Sequence, residues 1–298
     1  MTTILDGGLA TELEARGHDL SDRLWSARLL LSDPDAIEAV HLAYFEAGAL
    51  VATTASYQAS VEGFAAAGIG RPEGLGLIRR SVEIARRARD RFRAAEAAAG
   101  REPGTLLVAG SVGPYGAMLA DGSEYRGDYN PGVATLAAFH RPRIETLIDS
   151  GADLLAFETI PTVREARVLV DLLDELDVPA WLSYSCRDGT STSAGEPFDE
   201  AVAIADHPRV VAVGVNCTAP RHVPSLLGIA AEATAHELIA YPNRGDRWDR
   251  ASRRWAGGAI AAYDPVTVAS WTALGARWLG GCCGTGPAEI RALAALAD

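Results

Sequence analysis

The sequence predicts an α/β fold, a (βα)8 TIM-type barrel. Three observations carry this: short apolar runs alternating with helical patterns, glycine reversals between helix and strand, and long loops on one side only. The runs are Ile4–Asp6, Leu50–Thr54, Leu106–Gly110, Leu154–Glu158, Ala180–Tyr184, Val210–Val215, Leu238–Tyr241 and Trp278–Gly281. Most are continuously apolar, which suits strands buried on both faces of a parallel sheet. A doubly wound open sheet is the rival, but no GxGxxG turn follows a strand.

The first run ends in Asp6-Gly7-Gly8. Asp33-Pro34 then opens a helix with Ile37, Val40, Tyr44 and Ala47 on one face, and Gly48 stops it. The second run leads into Thr53-Thr54-Ala55-Ser56-Tyr57-Gln58, and Ile78, Val82, Ala85, Arg89 and Phe92 mark the next helix. The third run opens the long loop Ser111–Asn130. The fourth ends in Glu158-Thr159, and Thr162-Val163-Arg164-Glu165 reads as a capping box starting the following helix. The fifth run precedes the loop Cys186–Pro197, the sixth ends in Asn216-Cys217, and the seventh ends in Pro242-Asn243 before the loop Asn243–Tyr263. Asp264-Pro265 opens a late helix closed by Gly275, and the eighth run leads into Cys282-Cys283-Gly284. Gly48-Ala49, Gly151-Ala152 and Gly275-Ala276 each join a helix end to a strand, where a left-handed glycine reverses the chain in few residues. The long loops all leave strands, and in such barrels that face holds the active site.

Composition narrows the chemistry. The chain has 298 residues, 48% hydrophobic and 22% charged, so it can bury a large core and is not a disordered chain. A net charge of -12 argues against a grip on nucleic acid or an anionic membrane. There is no lysine: all 27 basic residues are arginine. Pyridoxal enzymes, lysine aldolases and P-loop hydrolases are thereby excluded. Met1–Ala10 lacks the pattern of a secretory signal, no apolar stretch is long enough to span a bilayer, and four cysteines do not make a disulfide scaffold. The expectation is a cytoplasmic protein with reduced thiols.

Three of the four cysteines, Cys217, Cys282 and Cys283, fall at strand ends on the same rim. Strands six and eight of a closed barrel are separated by one neighbour, so these thiols are expected to converge. A Zn2+ site is the leading explanation, because zinc accepts thiolate readily and three protein ligands leave a fourth position open. Neighbouring cysteines point the same way only if the chain bends, which Gly280, Gly281 and Gly284 permit. The alternative is that they are buried small hydrophobes, the reading favoured for Cys186. Asp6 and Glu158 are rim carboxylates that bind an amino group or act as acid and base; a turn residue and a helix-terminus contact are the plainer readings. Thr53 and Tyr57 lie where a ligand is hydrogen-bonded and stacked, or where the barrel packs. Trp25, Trp248, Trp255 and Tyr129 are candidate pocket residues, whereas Trp271 and Trp278 read as core. The six histidines show no metal spacing and read as structural.

Taken together, the stretches Leu5–Gly17, Thr53–Ser60, Leu107–Tyr129, Phe139–Arg143, Gly151–Pro161, Val213–Cys217, Tyr241–Asn243 and Gly280–Cys283 resemble the zinc-dependent homocysteine S-methyltransferase family. The likeness covers nearly the whole chain in order and is nearest to the members that use S-methylmethionine. The resemblance implies one homocysteine-binding barrel domain over residues 1–298, with Zn2+ on Cys217, Cys282 and Cys283. It implies that Asp6 and Glu158 hold the homocysteine amino group, that Gly7 and Thr53 help seat the amino acid, and that Tyr57 sits beside the zinc and the donor. Asn216, next to Cys217, is counted with the substrate-binding residues. The activity implied is methyl transfer from a sulfonium donor (S-methylmethionine, or S-adenosylmethionine) to homocysteine, a step of methionine biosynthesis. A betaine-type donor or a zinc hydrolase on the same barrel is the alternative. The sequence departs from the family pattern twice. Gly284 stands where a basic residue usually follows the double cysteine, and Arg244 stands where a small residue usually follows Tyr241-Pro242-Asn243.

Overall fold

The computed structural model describes residues 2–20, 25–245, 247–249, 254–256 and 263–297. Eight strands form one all-parallel sheet: β1 (Thr3–Ile4), β2 (Val51–Thr53), β3 (Leu107–Val112), β4 (Leu154–Ile160), β5 (Ala180–Tyr184), β6 (Val210–Asn216), β7 (Glu237–Tyr241) and, after a short ribbon, β10 (Ala276–Leu279). The ribbon pairs β8 (Arg247–Asp249) with β9 (Arg254–Ala256) in antiparallel fashion. The sheet closes where Leu5 bridges Val51 and the Asp6 amide donates to the Val51 carbonyl at 3.1 Å. The expected barrel is therefore present, with β6 and β10 separated only by β7. Its strands differ from the apolar runs mainly at their ends. The third and fourth extend two residues further, and the eighth begins and ends two residues earlier.

Two buried layers hold the barrel. Leu5, Val51, Ala109, Trp181, Ile239 and Trp278 belong to a cluster drawn from strand positions alone, which fills the interior. The opposite strand faces join the helices in the larger core, where Ile37, Val40, Tyr44, Ile78, Val82 and Trp271 are fully buried. Packed faces of this kind stabilise by about 25 cal/mol per Å² of apolar area removed from water.

The helix ends follow the local signals. The Asp33 side chain caps Pro34–Glu46 by accepting from the Ala36 amide at 3.2 Å, and Asp264 caps Pro265–Ala273 through the Val266 and Thr267 amides. Gly48, Gly151 and Gly275 have φ of +103°, +86° and +100°, the left-handed geometry expected of them. One expectation is corrected. Thr162 Oγ1 accepts from the Glu165 amide at 3.2 Å, as in a capping box, but the Glu165 side chain does not reach back. It turns inward to other donors, and the next amide along, that of Val163, donates to Glu196 Oε2 at 2.7 Å. No helix among the described residues is long and apolar enough to cross a membrane.

Candidate active site

The exits of β6, β7 and β10 bring the three rim cysteines together. Their sulfur atoms all lie within 4.8 Å of one another, and Cys217 Sγ is 3.6 Å from Cys283 Sγ. The strand-seven exit ties the other two. Asn243 Nδ2 donates to the Cys217 carbonyl at 3.0 Å, the Cys282 amide donates to the Pro242 carbonyl at 2.9 Å, and the Arg244 amide donates to the Cys283 carbonyl at 3.1 Å. The chain bends sharply on both sides. Cys217 has φ +43°, a conformation that costs a non-glycine residue free energy, and Gly284 has φ +84°. The two departures meet here: a Cβ on Gly284 would lie 2.5 Å from Arg244 Cδ, so the arginine stem occupies the space of a side chain at 284. Cys186 stands apart from this group, buried, with its thiol pushed up by burial.

A cavity of about 90 Å³ opens beside the sulfurs, lined among others by Asp6, Gly7, Thr53, Tyr57, Glu158 and Tyr125. Asp6 accepts from the Thr53 amide at 2.6 Å and from Thr53 Oγ1 at 2.9 Å. Glu158 accepts from the Ser111 hydroxyl and, at 3.2 Å, from Tyr241 OH. Burial raises both carboxyls, Asp6 to about 8 and Glu158 to about 7, against the pull of those hydrogen bonds. Neither forms an ion pair with a described side chain. Two buried acids with no ion-pair partner among the described residues suit an incoming cation, since an ammonium ion restores their ionised form.

Gly7 lies where a Cβ would meet the Thr285 carbonyl at 2.6 Å, and Tyr44 OH bridges the Gly8 and Thr285 carbonyls at 3.0 Å each. Asn216 does not line the cavity. Its side chain braces Thr159, accepting from the Thr159 amide at 2.6 Å and donating to Thr159 Oγ1 at 2.8 Å. Tyr129 lines a separate cavity of about 400 Å³ with Asp128, Asn130, Arg164 and Glu196. The side chains of Trp25, Trp248 and Trp255 lie outside the described residues. Trp271 and Trp278 are core. The sequence reading missed Ser111 and Tyr241, which hold Glu158, and Tyr125, whose hydroxyl is 3.4 Å from Cys217 Sγ. Ser111 and Tyr241 are signalled only by position, near or at the end of a strand, whereas Tyr125 lies in a 3-10 turn well beyond the third strand.

The profile of the family described as Homocysteine S-methyltransferase matches residues 3–297. The chain belongs to the homocysteine S-methyltransferase family. It is 49% identical to Homocysteine S-methyltransferase of Escherichia coli (strain K12), over 98% of this chain and 94% of that one. It is 46% identical to Homocysteine S-methyltransferase YbgG of Bacillus subtilis (strain 168), over 99% and 94%. The homocysteine methyltransferase MmuM from Escherichia coli, solved in a metallated form, superposes with TM-score 0.88 and 48% identity, covering 99% of this chain and 96% of that one. The present chain is thus an enzyme of this family on the family's barrel.

The cysteine group fits a metal by its own geometry. Thiolates on a tetrahedral zinc, with bonds of about 2.3 Å, stand about 3.8 Å apart. The 3.6 Å and sub-4.8 Å separations here need only small shifts. Among the described residues no histidine, carboxylate or further cysteine joins the group. Without an ion, hydrogen bonds from Cys282 and then Cys283 hold the Cys217 thiol below its ordinary value, and those two thiols are pushed up in return.

Proposed function

We propose that the protein transfers a methyl group from a sulfonium donor, S-methylmethionine foremost, to the thiol of L-homocysteine, yielding methionine. Cys217, Cys282 and Cys283 would hold Zn2+, and residues 1–298 would act as a single homocysteine-binding domain. The observation that carries this reading is three converging sulfurs that no histidine, carboxylate or further cysteine joins among the described residues, beside two buried carboxyls that form no ion pair among them. An ion held by these three cysteines would favour the substrate thiolate at neutral pH, where a free thiol of pKa near 8.5 is mostly protonated.

The chain's own residues do the rest. Asp6 and Glu158 take the ammonium of homocysteine from two sides, oriented by Thr53, Ser111 and Tyr241. The glycines at 7 and 8 let this cavity-lining turn pack closely on the double-cysteine loop, since a Cβ at either would strike the Thr285 or Cys282 carbonyl oxygen at 2.6 or 2.7 Å. Tyr57, buried at the cavity wall, offers an aromatic face to a cationic donor. No general base is required once the thiol proton has gone. A hydrolase reading is weaker, because three thiolates donate charge and leave bound water less acidic than neutral ligands would.

The experiment is methionine formation from homocysteine with S-methylmethionine, S-adenosylmethionine or betaine, with and without a chelator. Turnover with a sulfonium donor, lost on metal removal and restored by zinc, is expected. Turnover in protein shown to be metal-free, or with betaine alone, overturns the proposal.

A further inference from the structure

The motif Phe139–Arg143 has no part in the proposed chemistry so far, yet its arginine and histidine are fully sealed. Arg143 is 1% exposed and His140 0%. Arg143 Nη1 donates to the Tyr57 carbonyl at 3.0 Å, and Nη2 donates to the Gly113 carbonyl at 2.6 Å. Nη2 also donates to His140 Nδ1 at 2.9 Å, which fixes the imidazole with its proton on Nε2. That Nε2 donates to Glu165 Oε1 at 2.7 Å, and the same carboxylate receives the Tyr115 amide at 2.6 Å and the Tyr129 hydroxyl. This is why Glu165 does not close the capping box: its charge is committed inward.

The arginine fork therefore holds two loops in one place, the exit of β2 carrying Tyr57 and the exit of β3 carrying Gly113. Those loops touch. A Cβ on Gly113 would lie 2.6 Å from the Tyr57 carbonyl oxygen and 2.7 Å from Tyr57 Cδ2, so the tyrosine ring rests directly on the glycine. Burying a guanidinium is costly, and its pKa is pulled down to about 10 by desolvation. A mere structural filler would be cheaper if apolar.

We propose that Arg143, held by His140 and Glu165, is a positioning residue that sets the Tyr57 ring against the methyl donor and thereby sets donor affinity. The inference rests on the proposed function, in which Tyr57 faces a sulfonium donor. Arg143 touches neither substrate; it acts through the Tyr57 and Gly113 carbonyls. An ammonium in its place cannot span two carbonyls and an imidazole as the planar fork does.

The test is a double-mutant cycle of Arg143→Gln and Tyr57→Ala on the zinc-loaded enzyme. It reads KM for S-methylmethionine, KM for homocysteine, zinc content and, by calorimetry, S-methylmethionine binding. Arg143→Gln is expected to raise donor KM and weaken donor binding about tenfold or more, leaving homocysteine KM and zinc content within about twofold. In the Tyr57→Ala background the same change is expected to add less than about twofold, because its effect passes through that ring. Arg143→Lys keeps the charge and serves where the Gln variant does not fold; it is expected to raise donor KM about fivefold with homocysteine KM unchanged. Equal losses for both substrates, additive effects in the cycle, or unchanged donor KM overturn the inference. Wild-type enzyme inactive with every sulfonium donor overturns the proposed function, and this inference with it. An active wild type with an unaffected Arg143 variant overturns this inference alone.

Discussion

Glu158→Gln is expected to make the substrate-free protein more stable at alkaline pH and far weaker for homocysteine. The wild-type carboxyl is moved from 4.5 to about 7, chiefly by burial. A carboxyl that holds its proton more tightly folded than unfolded stabilises the fold at low pH. That contribution is lost as pH rises from 4.5 to 7, at 1.36 kcal/mol per pKa unit, so about 3 kcal/mol is gone by pH 8. Glutamine stays neutral, and its carbonyl still accepts from Ser111, so the penalty disappears with little lost in exchange. For a chain of this size the gain corresponds to a melting temperature higher by about 5 °C at pH 8, and by almost nothing at pH 4.5. Homocysteine KM moves oppositely. Removing one partner of a buried ion pair costs about 3 kcal/mol, which is about a hundredfold. Thermal melts at the two pH values, homocysteine KM at saturating donor and zinc content check both halves. A variant no more stable at pH 8, or with KM within about threefold of wild type, refutes the reasoning.

Cys282→Ala is expected to lose bound zinc and turnover while keeping its circular dichroism spectrum, because Cys282 follows the last barrel strand and only borders the interior cluster, so losing one sulfur removes little packing; metal analysis beside the spectrum checks this. His41 is buried in the helix Pro34–Glu46 with neither ring nitrogen bonded among the described residues, and burial lowers it from 6.5 to about 4. Below pH 6.5 the unfolded chain takes up this proton first, so stability falls as pH drops toward 4, by about 3 kcal/mol at the lower end. His41→Leu is expected to shrink the difference in urea midpoint stability between pH 7 and pH 4.5 by about 2–3 kcal/mol.

The fold was legible because each strand is short, apolar and bounded. Gly48, Gly151 and Gly275 announced the reversals, and Asp33-Pro34 and Asp264-Pro265 the helix starts. The convergence of Cys217 with Cys282 and Cys283 followed from barrel closure alone, since strand order makes β6 and β10 next-nearest neighbours. What was not legible was set by side-chain direction across long loops. Glu165 looked like a local cap, yet three donors from residues 115, 129 and 140 outcompete the single Thr162 amide. His140 looked structural on its helix, and its bond to Arg143 depends on a helical spacing of three whose use is visible only once both are buried. Tyr125 lies in a short turn with no periodicity, so its approach to Cys217 had no sequence signal. The proximity of Gly284 and Arg244, separate departures along the chain, likewise emerged only in three dimensions.

In the proposed mechanism Cys217, Cys282 and Cys283 hold one zinc ion whose remaining position receives the homocysteine thiol. X-ray absorption of the zinc-loaded protein, recorded before and after adding homocysteine, measures this directly. Three sulfur neighbours at about 2.3 Å plus one light atom are expected without substrate, becoming four sulfurs with it. A coordination shell that is already closed by a protein group and does not change with homocysteine, or that holds fewer than three sulfurs, would contradict it.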